Sequence, residues 1–106
     1  MTSHIPAPVQ TVLDAVESGD RRAFLAAFSP GGTVDDWSRR FTDEKIGEWS
    51  DAEFIGKSVT LAVDTVEVDG AQVVVRAQVG GNGFNGPSTF TFVLCDDLLS
   101  EMIIRA

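Results

Sequence analysis

The chain is poor in the residues from which the commonest catalytic and metal centres are made. Among its 106 residues there is one cysteine, Cys95, one histidine, His4, and no tyrosine. A single cysteine excludes an intrachain disulfide and a cysteine-cluster zinc site. A single histidine, set in the proline-rich leader His4-Ile5-Pro6-Ala7-Pro8, leaves a Ser-His-Asp triad or a histidine-ligated metal almost nothing to build on. No metal and no cofactor are therefore expected. No apolar run approaches the roughly 18 residues of a membrane span. Positive charge is also scarce: 8 Lys and Arg stand against 16 Asp and Glu, a net charge of -8. That balance repels phosphate backbones, so nucleic acid is not an expected partner. The segment Met1 to Pro8 has neither a basic start nor an apolar stretch of the secretory kind, and a cytoplasmic protein is the expectation.

What remains is the composition of an ordinary globular protein, 43% apolar and 23% charged, without low-complexity tracts. A chain of this length makes one domain and buries roughly two thirds of its unfolded surface. We expect a flexible leader over residues 1–7 and a single domain over 8–106.

Val9, Val12, Leu13 and Val16 recur with helical spacing, Pro8 suits a first turn and Gly19 an end, so a helix is expected over about Pro8 to Ser18. Asp20 can cap a second helix in which Phe24, Ala27 and Phe28 share a face, until Ser29-Pro30-Gly31-Gly32 stops it. A small acidic strand, Thr33-Val34-Asp35-Asp36-Trp37, follows. Ser38-Arg39-Arg40-Phe41 then reads as an irregular link, and Thr42 or Asp43 as the cap of a third helix containing Ile46 and Trp49.

From Lys57 the period becomes two. Val59, Leu61 and Val63 share one face while Val66 and Val68 have the opposite parity, which predicts a bulge or bend between them. Asp69-Gly70 signals a hairpin into Val73, Val75, Ala77 and Val79. Gly80 to Pro87 reads as a glycine-rich loop, after which Phe90, Phe92 and Leu94 alternate, and Cys95-Asp96-Asp97 turns the chain into a last strand around Leu98 to Ile104. Helices early and strands late predict an α+β protein with helices packed on one face of a mainly antiparallel sheet.

Ala15-Val16-Glu17-Ser18-Gly19-Asp20, the run from Phe24 to Phe28 followed by Thr33-Val34-Asp35-Asp36, Ile46-Gly47-Glu48-Trp49 and the bent hairpins together resemble the superfamily of nuclear transport factor 2, ketosteroid isomerase and the SnoaL-like polyketide cyclases. The resemblance covers nearly the whole chain. It implies a cone-shaped α+β barrel in which a strongly curved sheet wraps three helices around a pocket, commonly in a homodimer. It also implies a role for Asp36, the position matching the proton-shuttling aspartate of ketosteroid isomerase. Such a base needs partial desolvation and donors for an enolate oxygen. Val12 stands where the family offers its oxyanion tyrosine. The family's second donor, an acid, falls near Ser88 or Thr89.

The candidate catalytic residue is Asp36, which the two-residue period puts on the face of Val34. Candidate ligand-binding residues are Trp37, Trp49, Phe54, Phe28 and Phe84. Each has a plainer alternative: core or dimer-face aromatics for Trp37 and Trp49, core for Phe28 and Phe54, a surface turn for Phe84 with Asn85. Arg39-Arg40 reads as a solvated pair beside Asp35 and Asp43, or as a contact for an anionic ligand. Three functions stay open: general-base chemistry by Asp36 on an apolar carbonyl or polyketide-like substrate, non-catalytic binding of a small hydrophobic molecule, or a dimerisation module with a filled cavity. Homodimer contact is expected on the outer hairpin face carrying Val74, Thr91 and Val93.

Overall fold

A computed structural model describes residues 5–106; His4 and most of the expected leader lie outside the described residues. Helix α1 spans Ala7–Ser18, with proline in its first turn. It ends where Gly19 turns left-handed at φ 70°, the conformation glycine adopts without strain, and the N–H groups of Gly19 and Asp20 reach back to Val16 and Ala15. Asp20 then caps α2, Arg21–Ala26, its carboxylate accepting from the Ala23 N–H at 3.0 Å. Helix α3, Glu44–Glu53, leads into a single 3-10 turn, Ile55–Lys57.

Six strands form one sheet: β1 Phe28–Asp36, β2 Arg39–Thr42, β3 Thr60–Asp69, β4 Gln72–Gly80, β5 Gly86–Cys95 and β6 Leu98–Arg105. Their order is β2-β1-β6-β5-β4-β3, antiparallel throughout except for the parallel pair β1 and β6. The architecture is α+β, three helices on one curved sheet, as expected from the grouping of elements.

Two expectations are corrected. Ser38-Arg39-Arg40-Phe41 is no irregular link: Arg39–Thr42 pairs with β1, placing Asp36 opposite Arg39 and Val34 opposite Phe41. The second helix stops at Ala26, and Phe28 already belongs to β1. The Ser29-Pro30-Gly31-Gly32 stretch interrupts that strand rather than preceding it, for Phe28 faces Leu99 and Thr33 faces Glu101, so the chain bulges between them. The parity change in β3 does mark an irregularity, a register shift between Val63 and Thr65, and another lies in β5 between Val93 and Leu94. Bulges increase twist and bend strands, which curls the sheet around the helices.

The core lies between that inner face and the helices. Val9, Val12 and Val16 of α1 and Phe24 of α2 meet Val73 and Val75 of β4, Phe90 and Phe92 of β5 and Leu99 and Met102 of β6 in one cluster. Phe24 has no exposed surface, which stabilises the fold by about 1.5–3 kcal/mol relative to an exposed ring. Among the described residues no helix is long and apolar enough to cross a membrane.

Candidate functional site

Alternation along β1 separates the two neighbouring aspartates. Val34 is fully buried, and Asp36 shares its inward face with 13% of its side chain exposed. Asp35 points outward, where it accepts from Arg105 at 3.0 Å and from the Ser38 N–H at 2.8 Å. The hydrogen bond from Arg105 holds the Asp35 carboxyl below its ordinary pKa. Chain reversal occurs at Trp37 and Ser38, both left-handed at φ 53° and 74°, a pair of values that suits the right-handed twist of a two-residue hairpin. Trp37 is thereby set on a rim, 54% exposed.

The inward carboxylate is held by two donors on one oxygen. Trp49 Nε1 donates to Asp36 Oδ2 at 3.0 Å, and the Arg39 guanidinium reaches the same atom at 2.5 Å. Arg39 also forks onto both carboxylate oxygens of Glu53, at 2.9 and 2.6 Å. One arginine on β2 therefore ties β1 to the end of α3. Its hydrogen bonds hold the Glu53 carboxyl below its usual pKa, and the two carboxylates in turn raise that of Arg39. Asp36 Oδ1 takes no hydrogen bond from any described side chain.

These groups flank a cavity of 320 Å³, at the small end of the range for small-molecule sites. Asp36, Ile104 and Phe90 form one row across β1, β6 and β5, and Ser88 lies two residues along β5 from Phe90. With strand spacings of about 4.8 Å and about 3.4 Å per residue, the Asp36 and Ser88 backbones are roughly 12 Å apart across the floor. Trp49 and Phe54 make the helical wall, their rings stacked at 5.0 Å with 24° between planes. The rim carries Trp37, Glu53, Lys57 and Phe84.

The Gly81–Asn85 loop is clasped to that rim. Asn82 N–H donates to the Lys57 carbonyl at 2.8 Å, and Asn85 Nδ2 donates to the carbonyls of Gly81 and Gly83 at 3.0 and 3.2 Å. At Gly81, φ is 136° and a Cβ would stand 2.9 Å from the Lys57 carbonyl, so only glycine lets the loop come this close.

Five of the six candidates named from sequence thus share one cavity: Asp36, Trp37, Trp49, Phe54 and Phe84. Phe28 does not join them. It packs edge-on to Phe24 at 5.3 Å and lines a second hollow beside Pro30 and Asp43. Arg39 and Arg40 have other partners than the Asp35 and Asp43 beside them in sequence, Arg40 pairing with Glu101 at 3.2 Å. Sequence reasoning missed Arg39 as a partner of Asp36, along with Glu53, Lys57, Phe90 and Ile104 as cavity residues. The inward parity of Phe90 was legible; the meeting of β2 with the end of α3 was not. Val12, 1% exposed, is a core residue.

No family model matches the chain, and no curated protein matches it. Solved structures do. A Sinorhizobium meliloti protein assigned as a polyketide cyclase superposes with TM-score 0.87 at 27% identity, covering 95% of both chains. A Catenulispora acidiphila protein with a ketosteroid isomerase-like fold, in complex with trimethylamine, gives 0.82 at 19% identity, covering 97% of this chain and 87% of its own. A Mycobacterium tuberculosis protein in complex with estradiol-17β-hemisuccinate gives 0.80 at 14% identity, over 94% and 91%. The latter two likenesses are of fold alone.

Proposed function

We propose, for a chain whose fold is that of the nuclear transport factor 2-like superfamily with its SnoaL-like and ketosteroid isomerase-like members, that it binds a small, mainly apolar molecule in the cavity beside Asp36. The observation that carries this reading is the double engagement of Asp36 Oδ2 by Arg39 and Trp49. A carboxylate so paired has one oxygen occupied by two donors and leaves the other as a hydrogen-bond acceptor for a guest. The aromatic wall supplies contact area and the carboxylate orients the guest. Fold neighbours that hold estradiol-17β-hemisuccinate and trimethylamine support small-molecule binding at the level of the fold.

A second reading, general-base chemistry by Asp36 on a carbonyl or polyketide-like substrate, is favoured by one fact: Asp36 is largely buried in the cavity wall with Oδ1 unengaged. It lacks a tyrosine donor, and removal of one such donor typically costs about a hundredfold or more in rate. A single domain over 8–106, a cytoplasmic setting and pairing with a second copy complete the proposal.

The test is a thermal-shift screen against steroid ketones, their phenolic analogues, aromatic polyketides and small epoxides, followed by Asp36→Asn. A ligand present at about a hundred times its Kd adds roughly 2.7 kcal/mol to stability. Under the binding reading Asp36→Asn weakens a hydroxyl-bearing hit by about tenfold with no turnover to lose; under the enzymatic reading it abolishes turnover while the fold survives. A screen flat across all four classes counts against both readings for those classes and favours a dimerisation module.

A further inference from the structure

We infer that Arg39 sets the charge selectivity of the cavity, so that it accepts a neutral hydrogen-bond donor, an alcohol or phenol on an apolar body, in preference to an ammonium of the same shape. The inference rests on the binding reading above and adds the chemistry of the guest's polar end. Two carboxylates, Asp36 and Glu53, lie on the cavity. Left alone with Lys57, they would make an acidic, aromatic-walled site suited to an organic cation, since ammonium groups are held by carboxylates and by the faces of indole and phenyl rings. Arg39 prevents this. It covers one oxygen of Asp36 and both oxygens of Glu53. The combined charge of Asp36, Glu53, Arg39 and Lys57 is zero, and a buried cation gains too little there to offset the water it gives up.

The inventory of polar atoms points the same way for a neutral guest. The indole N–H of Trp49 is spent on Asp36. What Asp36 offers is Oδ1, an ionised oxygen that accepts and cannot donate. Ser88, 5% exposed and on the same cavity, can donate or accept. A hydroxyl can serve Asp36 by donating; a ketone cannot. Arg39 itself is half exposed and its ring contact is with Phe41, 5.6 Å away, so it acts on the guest through the carboxylates and is a positioning residue.

The experiment uses three probes sharing one fused-ring body: 2-naphthylmethanol, 2-naphthylmethylamine and 2-acetonaphthone. Their affinities are measured by isothermal titration at neutral pH. The intact protein is expected to bind the alcohol best. Asp36→Ala erases the advantage of the alcohol over the ketone. Arg39→Met moves the amine-to-alcohol affinity ratio about tenfold or more toward the amine, the scale of one uncompensated hydrogen-bonded charge, while Arg39→Lys keeps the wild-type order. A ratio unchanged in Arg39→Met, or an amine that already binds best to the intact protein, overturns the inference and leaves the pocket reading standing. If none of the three binds although the protein is folded by circular dichroism, the pocket reading fails and the inference with it.

Discussion

Replacing Trp49 by phenylalanine removes one N–H and part of a ring, and its consequence depends on whether Asp36 is still there. In the native site the indole donates to Asp36 Oδ2 at 3.0 Å, with Trp49 4% exposed and the Asp36 side chain 13% exposed. Both groups are shielded from water, so the bond keeps most of its strength. Trp49→Phe deprives an ionised oxygen of a donor, a loss of about 1.5–3 kcal/mol for a bond to a charged group. Asp36→Ala leaves the indole N–H buried and unpaired, costing about 1–3 kcal/mol. In the double variant neither orphan exists. The two losses are therefore expected to fall short of additivity by about 1.5–3 kcal/mol. At about 2.1 cal/mol/K of unfolding entropy per residue, 2 kcal/mol corresponds to roughly 9 °C in Tm for a chain of this length. Urea unfolding followed by circular dichroism on the four proteins measures the coupling without relying on tryptophan emission. Additivity within about 0.5 kcal/mol would refute the claim that this bond holds the carboxylate in place.

The two carboxyls with depressed pKa values give an acid limb to stability. Hydrogen bonding by Arg39 lowers Glu53 from 4.5 and that by Arg105 lowers Asp35 from 3.8, so on acidification the unfolded chain takes up these protons first. Their contribution is complete above those ordinary values and is lost as pH falls through the lower folded ones. Tm measured from about pH 7 down to about pH 3 should fall on the acid side, and Arg39→Met should flatten that limb. An identical slope in the variant would count against the Arg39–Glu53 pair, whose partners are both partly exposed and correspondingly screened. The outer sheet face is the place expected to meet a second copy: Val74, Thr91 and Val93 lie half-buried on that side. A concentration series in analytical ultracentrifugation should show a dimer, and monomer throughout would remove that expectation.

The elements whose side chains alternate or recur cleanly could be read directly. The stripe Val9, Val12, Leu13, Val16 and the run Val73, Val75, Ala77, Val79 are buried as their periods require. The parity change after Val63 was a visible trace of a bulge. β2 was hidden because Arg39 and Arg40 are exposed on a four-residue edge strand, where burial imposes no pattern. Phe28 was misplaced because it continues the spacing of Phe24 and Ala27, while its real environment is set by pairing with Leu99, far along the chain. The same limit governs the site. Asp36 could be placed on the inward face from Val34 alone, but its partners come from β2 and from α3, and no local rule brings Arg39, Trp49 and Glu53 to one carboxylate.

The parallel pairing of β1 with β6 has a bearing on when the cavity comes into existence. Asp36 sits beside Ile104, and Trp37 donates its N–H to the Ile104 carbonyl at 3.2 Å. A chain emerging from the ribosome displays the acidic strand early, yet that strand has no inner neighbour until Leu98–Arg105 has been made. Contacts so distant in sequence are slow to form because a long loop must close before they stabilise anything. The cavity, whose floor lies on β1, β6 and β5, is therefore complete only once the last strand has joined the sheet.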